Sequence, residues 1–203
     1  METQIASVLA DFEARYLREQ TRQAEMSADE FDAHIDDFLL PVGPVVGQLL
    51  HTLITGLNAQ RIIEVGSSYG YSTVWLAAAA QQSGGKVISL ELHEGKQVAA
   101  REAIAKAGLS EHVEFILGDA IESIAALAAP VDFALIDLWK SLYIPAFAGL
   151  YPNLATDAIV VADNMIYPHP DQAQKYMDYL AGIEDIESVM LPLREGILLS
   201  RKR

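Results

Sequence analysis

The chain has 203 residues, a formal net charge of −14 and no cysteine. Its length suits one α/β domain, and the lack of cysteine excludes disulfides, zinc thiolate sites and cysteine nucleophiles. An acidic surface repels phosphate backbones, so nucleic acid is not an expected partner.

The N-terminal stretch carries acidic residues within its first dozen positions and lacks a basic region followed by an apolar one. This pattern predicts that the chain has no signal peptide. The apolar stretches are too short to span a bilayer. We therefore expect a cytoplasmic protein with no membrane partner.

Residues 1–57 are predicted to form a helical cap. Apolar periodicity predicts a helix from about Ile5 to Leu17. A second helix is predicted from about Ser27 to Phe38, because a glutamate follows Ser27 at the spacing of a capping box. Residues 41–44 contain two prolines and a glycine that break the chain before a third helix, from Val45 to Leu57.

From residue 58 onward, short apolar segments alternate with helical ones. The predicted strands are 61–65, 86–91, 113–117, 132–137, 158–163, 188–191 and 196–200, and the predicted helices are about 72–82, 95–107, 121–127, 143–150 and 171–180. Strands that are apolar on both faces and separated by such helices indicate a parallel sheet covered on both sides. We therefore predict one α/β domain over residues 1–203, with a doubly wound, mostly parallel seven-stranded sheet in its 58–203 core.

In a sheet of this kind, ligands bind beyond the carboxyl ends of the strands. The first predicted strand is followed by a turn that contains Gly66 and Gly70. Glycine lets the backbone turn tightly and approach a ligand, and the next helix offers free N–H groups. The spacing G-x-x-x-G differs from the dinucleotide pattern G-x-G-x-x-G. The alternative is a turn with a purely structural role.

The second and third strand ends carry further polar groups. Glu91 ends the second strand, where a carboxylate can accept both hydroxyls of a ribose, although a solvated acid is the alternative. Gly118, Asp119 and Ala120 follow the third strand. Their N–H groups and carboxylate suit an adenine edge, and Asp119 is equally suited to cap the following helix.

Oxygen donors follow the fourth and fifth strands. Asp137 follows the fourth strand, and Asp163 and Asn164 follow the fifth. Three such donors at neighbouring strand ends suit a hard cation such as Mg²⁺. Lys140 is a candidate general base if a nearby metal and partial burial lower its pKa. The alternatives are an Asp-Asn turn and a solvated lysine.

Together these motifs resemble the metal-dependent class I O-methyltransferases, which include the catechol and caffeoyl-coenzyme A O-methyltransferases. The resemblance runs from about Phe38 to Lys202. It is carried by PVGPVVGQLL, IIEVGSSYGYSTVWLA, VISLELH, GDA, FALIDLWKSLY, VVADN and GILLSRK. The resemblance implies a Rossmann-like methyltransferase fold, S-adenosylmethionine (SAM) as cofactor, a divalent metal such as Mg²⁺, a small-molecule hydroxyl acceptor and a homodimer.

The resemblance also implies roles for individual residues. Gly66 would flank the methionine part of the cofactor, Ser72 would meet its amino-acid end, and Val42 would contact it near the entrance. Glu91 would hold the ribose. The residues implied around the adenine are Asp119, Ala120 and Trp139. The full cofactor-binding set is Val42, Glu64, Gly66, Ser68, Tyr69, Gly70, Ser72, Glu91, Leu92, Gly118, Asp119, Ala120, Asp137 and Trp139.

The implied metal ligands are Asp137, Asp163 and Asn164. Lys140 is implied as the base that deprotonates the acceptor. The sequence departs from the catechol branch at Leu138, where that branch has a histidine. The branch also has a late glutamate that grips the second hydroxyl. The comparable stretch here, 189–193, has no acid, and Glu195 lies outside it.

The sequence therefore predicts a SAM-dependent O-methyltransferase that acts, with metal assistance, on a hydroxyl of a small catechol-like or other vicinal-diol acceptor. Three alternatives stay open. One is a metal-independent small-molecule methyltransferase, in which Asp163 and Asn164 form only a turn. Another is a nucleotide-binding oxidoreductase, which the missing third glycine disfavours. The last is a cofactor-binding module without catalysis, which would have no need of a base at Lys140.

Overall fold

The computed structural model of the protein describes residues 2–127, 130–167 and 169–203. The helices are α1 (Thr3–Ala24), α2 (Ala28–Ala33), α3 (Gly43–Leu57), α4 (Tyr71–Ser83), α5 (Glu94–Lys106), α6 (Ala120–Ala125), α7 (Tyr143–Leu150) and α8 (Pro170–Ala181). The strands are β1 (Arg61–Val65), β2 (Lys86–Glu91), β3 (Val113–Leu117), β4 (Val131–Ile136), β5 (Leu154–Ala162), β6 (Ile186–Leu191) and β7 (Ile197–Lys202). Within the described residues, no helix is long and apolar enough to cross a membrane.

Within these residues the strands form one seven-stranded sheet of order β3-β2-β1-β4-β5-β7-β6. The first five strands pair in parallel, and β7 joins β5 and β6 in antiparallel pairs. The predicted doubly wound, mostly parallel sheet is therefore confirmed. The strand order reverses between β1 and β4, which is the position where sheets of this type bind ligands.

Apolar residues fill both faces of the sheet. On one face, α1, α3 and α4 pack on the central strands, with Leu50 and Leu76 fully buried. A side chain on Gly47 of α3 would overlap the indole of Trp75, so this glycine lets α3 and α4 approach closely. On the other face, α6, α7 and α8 cover the sheet, and Tyr143 packs edge-to-face on Tyr176 with ring centroids 5.6 Å apart.

The helical cap differs from its prediction at the ends of its helices, and α3 begins at Gly43 rather than Val45. The capping box at Ser27 is present, but α2 ends at Ala33 rather than Phe38. The chain turns into a 3₁₀ segment, Ile35–Asp37, after which Phe38 is 2% exposed and packs on Phe31. Burial of Phe38 therefore favours the earlier helix end. α1 runs past Leu17 to Ala24, although its last two turns bury no residue and so leave no apolar signal in the sequence.

Candidate active site

The ends of β2, β1, β4 and β5 are hydrogen-bonded side by side in register. One residue beyond the strands, Gly66 donates its N–H to a β2 carbonyl at 3.0 Å, and Asp137 donates to a β1 carbonyl at 2.9 Å. Asp163 in turn donates to a β4 carbonyl at 3.1 Å. These three residues therefore stand in one row at the carboxyl edge of the sheet, where the strand order reverses.

The turn between β1 and α4 requires its two glycines. Gly66 has a φ of 92° and Gly70 a φ of 95°, both in the left-handed region that disfavours side chains. A Cβ on Gly66 would overlap the carbonyl oxygen of Asp137, and a Cβ on Gly70 would lie 2.8 Å from that of Ala100. The glycine turn is thus in van der Waals contact with the end of β4. Ser68, at its centre, also has a positive φ of 47°.

Glu91 closes the other side of this turn. Its carboxylate accepts a hydrogen bond from the Ser68 N–H at 2.7 Å and from the His93 N–H at 2.9 Å. The residue is only 7% exposed, which is inconsistent with a freely solvated acid. Each oxygen keeps a further lone pair that can accept a ligand hydroxyl. Leu92, next along the chain, is 64% exposed beside it.

Glu64 lies beneath the glycine turn and is fully buried. Its carboxylate accepts hydrogen bonds from the hydroxyls of Ser72, Thr73 and Ser89, each at 2.7 Å. Burial raises the pKa of Glu64 to about 6, against the lowering effect of the three hydroxyl donors. Glu64 and Ser72, both predicted to contact the cofactor, are thus bonded to each other and support the turn from below.

The structure shows one of the two roles considered at the end of β3, the helix cap, and the adenine contact stays a prediction. Asp119 caps α6, because one of its carboxylate oxygens accepts from the N–H groups of Ile121 at 2.8 Å and Glu122 at 3.0 Å. Ala120 begins that helix. Gly118 has a φ of 144°, and a Cβ placed on it would meet nothing within 4 Å. An open space therefore lies at Gly118, where the sequence predicted the adenine edge.

The remaining predicted cofactor residues lie around this row. Val42 directly precedes α3 and is 3% exposed. Tyr69 points towards the helical cap, since its hydroxyl donates to the Asp36 carbonyl at 2.9 Å and the Arg15 guanidinium lies 3.8 Å from its ring centre. Trp139 follows β4 and is 60% exposed, so its ring is free to contact a planar ligand.

Two carboxyl groups, buried Asp163 and half-buried Asp137, lie at the ends of β5 and β4. Asp163 is 3% exposed, and burial raises its pKa to about 6 although the Asn164 N–H donates to it at 2.6 Å. Burial and then the charge of Asp163 raise the pKa of Asp137 well above its usual value. Adjacent buried acids repel each other unless a proton or a cation lies between them. Asn164, with a φ of 56°, turns the chain directly after this pair.

Within the described ranges, no group of three or more His, Cys, Asp and Glu side chains is arranged to hold a metal ion. The predicted ligand set contains only two such residues, Asp137 and Asp163. The third predicted ligand is the side-chain carbonyl oxygen of Asn164, and hard cations bind such oxygens as they bind backbone carbonyls.

Lys140 faces the same carboxyl pair. Its Nζ lies 3.5 Å from the Tyr143 hydroxyl and 4.7 Å from the centre of that ring. The Tyr143 hydroxyl donates in turn to the Asp163 carbonyl at 2.9 Å. Burial lowers the pKa of Lys140, while the charges of Asp137 and Asp163 oppose this shift. Tyr143, which the sequence did not single out, therefore positions the predicted base.

Glu195 is an acidic residue in the turn between β6 and β7. The sequence placed Glu195 outside the stretch that carries the late glutamate of the catechol branch. In the structure its backbone carbonyl accepts a hydrogen bond from Ile166, three residues after Asp163, and its negative charge raises the pKa of both Asp137 and Asp163. The following Gly196 has a φ of 95°, and a Cβ on it would lie 2.6 Å from a side-chain carbon of Ile166. This close approach brings the β6–β7 turn over the end of β5.

Comparisons with known proteins identify the family of the chain. A family described as a methyltransferase domain matches residues 63–165, which contain the glycine turn and both carboxyl groups. A catechol O-methyltransferase of Niastella koreensis is 33% identical over 131 residues, covering 63% of this chain and 59% of the relative. One from Mycobacterium tuberculosis is 31% identical over 121 residues, covering 59% and 54%. The chain thus spans between half and two thirds of the length of these relatives.

Solved structures show the same fold. An O-methyltransferase of Streptomyces achromogenes, determined in complex with SAM, superimposes with a TM-score of 0.73 at 26% identity, covering 84% of this chain and 86% of that one. A Bacillus cereus O-methyltransferase in complex with S-adenosylhomocysteine (SAH) gives 0.77 at 22% identity, covering 100% and 92%. The chain belongs to the methyltransferase domain family, within the class I group that contains the SAM-dependent O-methyltransferases.

Proposed function

We propose that this protein is a SAM-dependent O-methyltransferase that methylates one hydroxyl of a small catechol-like or other vicinal-diol acceptor, with a divalent metal such as Mg²⁺ bound at the end of β4 and β5. Relatives named catechol O-methyltransferase support the reaction class. Solved relatives bound to SAM or SAH support the cofactor.

The observation that carries the proposal is the contact between the glycine turn and the carboxyl pair. The backbone of Gly66 touches the carbonyl of Asp137, and Asp163 follows in the same row. A ligand in the turn would therefore lie directly beside a ligand on the two acids. A methyl donor and an oxygen nucleophile need this proximity, because positioning alone can lower a reaction barrier by about 7–11 kcal/mol.

The residues around the glycine turn can bind both the polar and the apolar parts of SAM. Glu91 offers shielded carboxylate oxygens for the ribose hydroxyls, and the open space at Gly118 with the exposed ring of Trp139 suits a flat base. The hydroxyl of Ser67 in the turn is buried and has no hydrogen-bond partner among the described residues, so it can bind a polar ligand atom. The missing third glycine and the family match both favour this cofactor over a dinucleotide.

The carboxyl pair fits a hard divalent cation, since loss of solvent raises the pKa of both acids despite the nearby positive charge of Lys140, and a bound cation would stabilise their charged forms. Asp137, Asp163 and the amide of Asn164 would hold the metal. When bound, the cation would lower the pKa of a coordinated hydroxyl and fix its geometry.

Lys140 then acts as the general base. Burial lowers the pKa of Lys140, so a larger fraction of its side chain is the neutral amine that can accept a proton than in a solvated lysine. Tyr143 holds the Nζ on the side of the two acids. SAM held beside the glycine turn would supply the methyl group to the oxygen that Lys140 has deprotonated, and would be released as SAH.

The test is methyl transfer from labelled SAM to a panel of catechols, caffeates and related diols, with Mg²⁺ or with excess EDTA. We expect products with Mg²⁺ and none with EDTA. Full activity in EDTA would favour the metal-independent methyltransferase instead. Binding of SAM without any methylated product would indicate a cofactor-binding module, and a thermal shift with NAD but not with SAM would contradict the proposal altogether.

A further inference from the structure

The turn between β6 and β7 presents a cation, Arg194, at the edge of the proposed site. Backbone hydrogen bonds fix this turn: Met165 donates to the Gly196 carbonyl at 2.9 Å, and Ile166 and Tyr167 both donate to the Glu195 carbonyl. Arg194 itself has a φ of 50°, which non-glycine residues seldom adopt. The base of the side chain is therefore held in a defined position next to the segment that follows β5.

From this turn the Arg194 side chain crosses to the helical cap. Its Nε donates to the Glu195 carboxylate at 3.1 Å, and its Nη2 donates to the Tyr16 hydroxyl of α1 at 3.3 Å. A Cβ on Gly43, the first residue of α3, would overlap the guanidinium. Arg194 therefore lies between the cap and the row of strand ends, and its positive charge is near enough to lower the pKa of Asp163.

The guanidinium retains hydrogen-bonding capacity. Arginine carries five N–H donors, and two of those of Arg194 are used in the part of the chain that the structure describes. The side chain keeps 27% of its surface exposed, and its other three N–H groups have no hydrogen-bond partner among the described residues. A guanidinium edge matches a carboxylate in shape and charge better than any neutral group.

The surroundings of Arg194 are apolar and open. Ile166 and Tyr167, whose N–H groups donate to the carbonyl of Glu195 next to Arg194, are 47% and 68% exposed. Exposed apolar side chains next to a polar site favour the binding of a flat apolar ring. In a chain of net charge −14, a cation at this edge also offsets the acids that would otherwise repel an anionic ligand.

We propose that Arg194 determines acceptor specificity by binding a carboxylate, so that the preferred acceptors are aromatic acids carrying two adjacent hydroxyls. This inference rests on the function proposed above and adds the substrate class. Arg194 acts on acceptor binding and has no part in the chemical step, so its loss affects KM for the acid more than kcat.

The test compares 3,4-dihydroxybenzoate with 3,4-dihydroxybenzamide, which has the same diol without the charge. We expect the wild-type protein to favour the acid in kcat/KM by about 10- to 100-fold, the range of a charge-assisted hydrogen bond. Arg194→Met should abolish this preference, through KM for the acid, with KM for SAM and the amide rate nearly unchanged. Arg194→Lys should restore part of the preference. Arg201→Met, which removes an exposed arginine that pairs with Asp157 on the outer part of the sheet, is the matched control.

An equal preference for acid and amide in the wild type, or an unchanged preference in Arg194→Met, would overturn the specificity role while leaving the methyltransferase proposal intact. A rise in KM for SAM in Arg194→Met would also overturn it. If neither compound is methylated, the proposed function fails, and calorimetric binding of both compounds in the presence of SAH and Mg²⁺ then decides the role of Arg194. If Arg194→Met does not fold, the kcat/KM ratio of acid over amide is measured for the wild type at high salt. Loss of the preference there would support the role of charge, and an unchanged ratio would contradict it.

Discussion

Glu64 provides a test of the structure that needs no substrate. Its carboxyl group is fully buried below the glycine turn and accepts three hydroxyl hydrogen bonds. Burial raises its pKa from 4.5 to about 6, so the protonated form is favoured in the folded state. Glu64→Gln keeps the size and one acceptor oxygen but removes the charge, and the hydroxyls of Ser72, Thr73 and Ser89 can rotate to meet the new amide.

The sign of the effect follows from proton linkage. Between pH 4.5 and pH 6 the folded protein binds more protons at Glu64 than the unfolded chain does. The free energy of unfolding therefore decreases as the pH rises through this interval. The shift of Glu64 corresponds to about 2 kcal/mol in total. About 1 kcal/mol of this falls between pH 5 and pH 7.5, a range above the sequence pI of 4.6.

The assay is urea unfolding of both proteins at pH 5 and pH 7.5, followed by circular dichroism. The wild type should lose about 1 kcal/mol more than Glu64→Gln between the two pH values, because the other titrating groups are common to both. Glu114→Gln, a change of an exposed acid on β3, should behave like the wild type. Equal pH dependence in the wild type and Glu64→Gln would show that Glu64 is not buried as described.

Other predictions address the site itself. Lys140→Ala should lower kcat by about 10²- to 10⁴-fold with SAM affinity nearly unchanged in titration calorimetry, and full turnover at neutral pH would exclude the general base. Asp163→Ala should abolish both activity and the response to Mg²⁺ in the labelled-methyl assay, whereas a variant that stays active in EDTA would contradict the metal site. Gly66→Ala should lower the melting temperature, because the left-handed φ alone costs about 1–2 kcal/mol. Gly56→Ala, in an open position of α3, should not lower it.

The parallel core was predictable because local and global signals agree there. The strands at 61–65, 86–91 and 113–117 were predicted to the residue, since each is a short apolar run bounded by polar residues or glycine. Once the strands are parallel, their carboxyl ends must share one edge, so Gly66, Glu91 and Asp137 were placed together by topology alone. The one-residue difference at β4 and the earlier start of β5 do not alter this edge.

Interactions between distant parts of the chain were not predictable in this way. The helical periodicity after Ser27 suggested a helix to Phe38, but burial of Phe38 against Phe31 ends it early. The sequence placed Glu195 outside the stretch 189–193 that corresponds to the glutamate of the catechol branch. A tight turn and the close contact of Gly196 with Ile166 place the backbone of Glu195 against the segment that follows β5. Both outcomes depend on tertiary contacts that leave no local periodicity.

The contact between Gly66 and Asp137 couples the glycine turn to the carboxyl pair. The carbonyl of Asp137 occupies the place where a Cβ on residue 66 would lie, so the end of β4 fixes the backbone of the turn and the turn fixes the end of β4. A ligand that moves either one must move the other, because the packed backbone has no intermediate space. Occupation of the turn and occupation of the carboxyl pair should therefore change each other's affinity by the same factor, as thermodynamic linkage requires of two coupled sites.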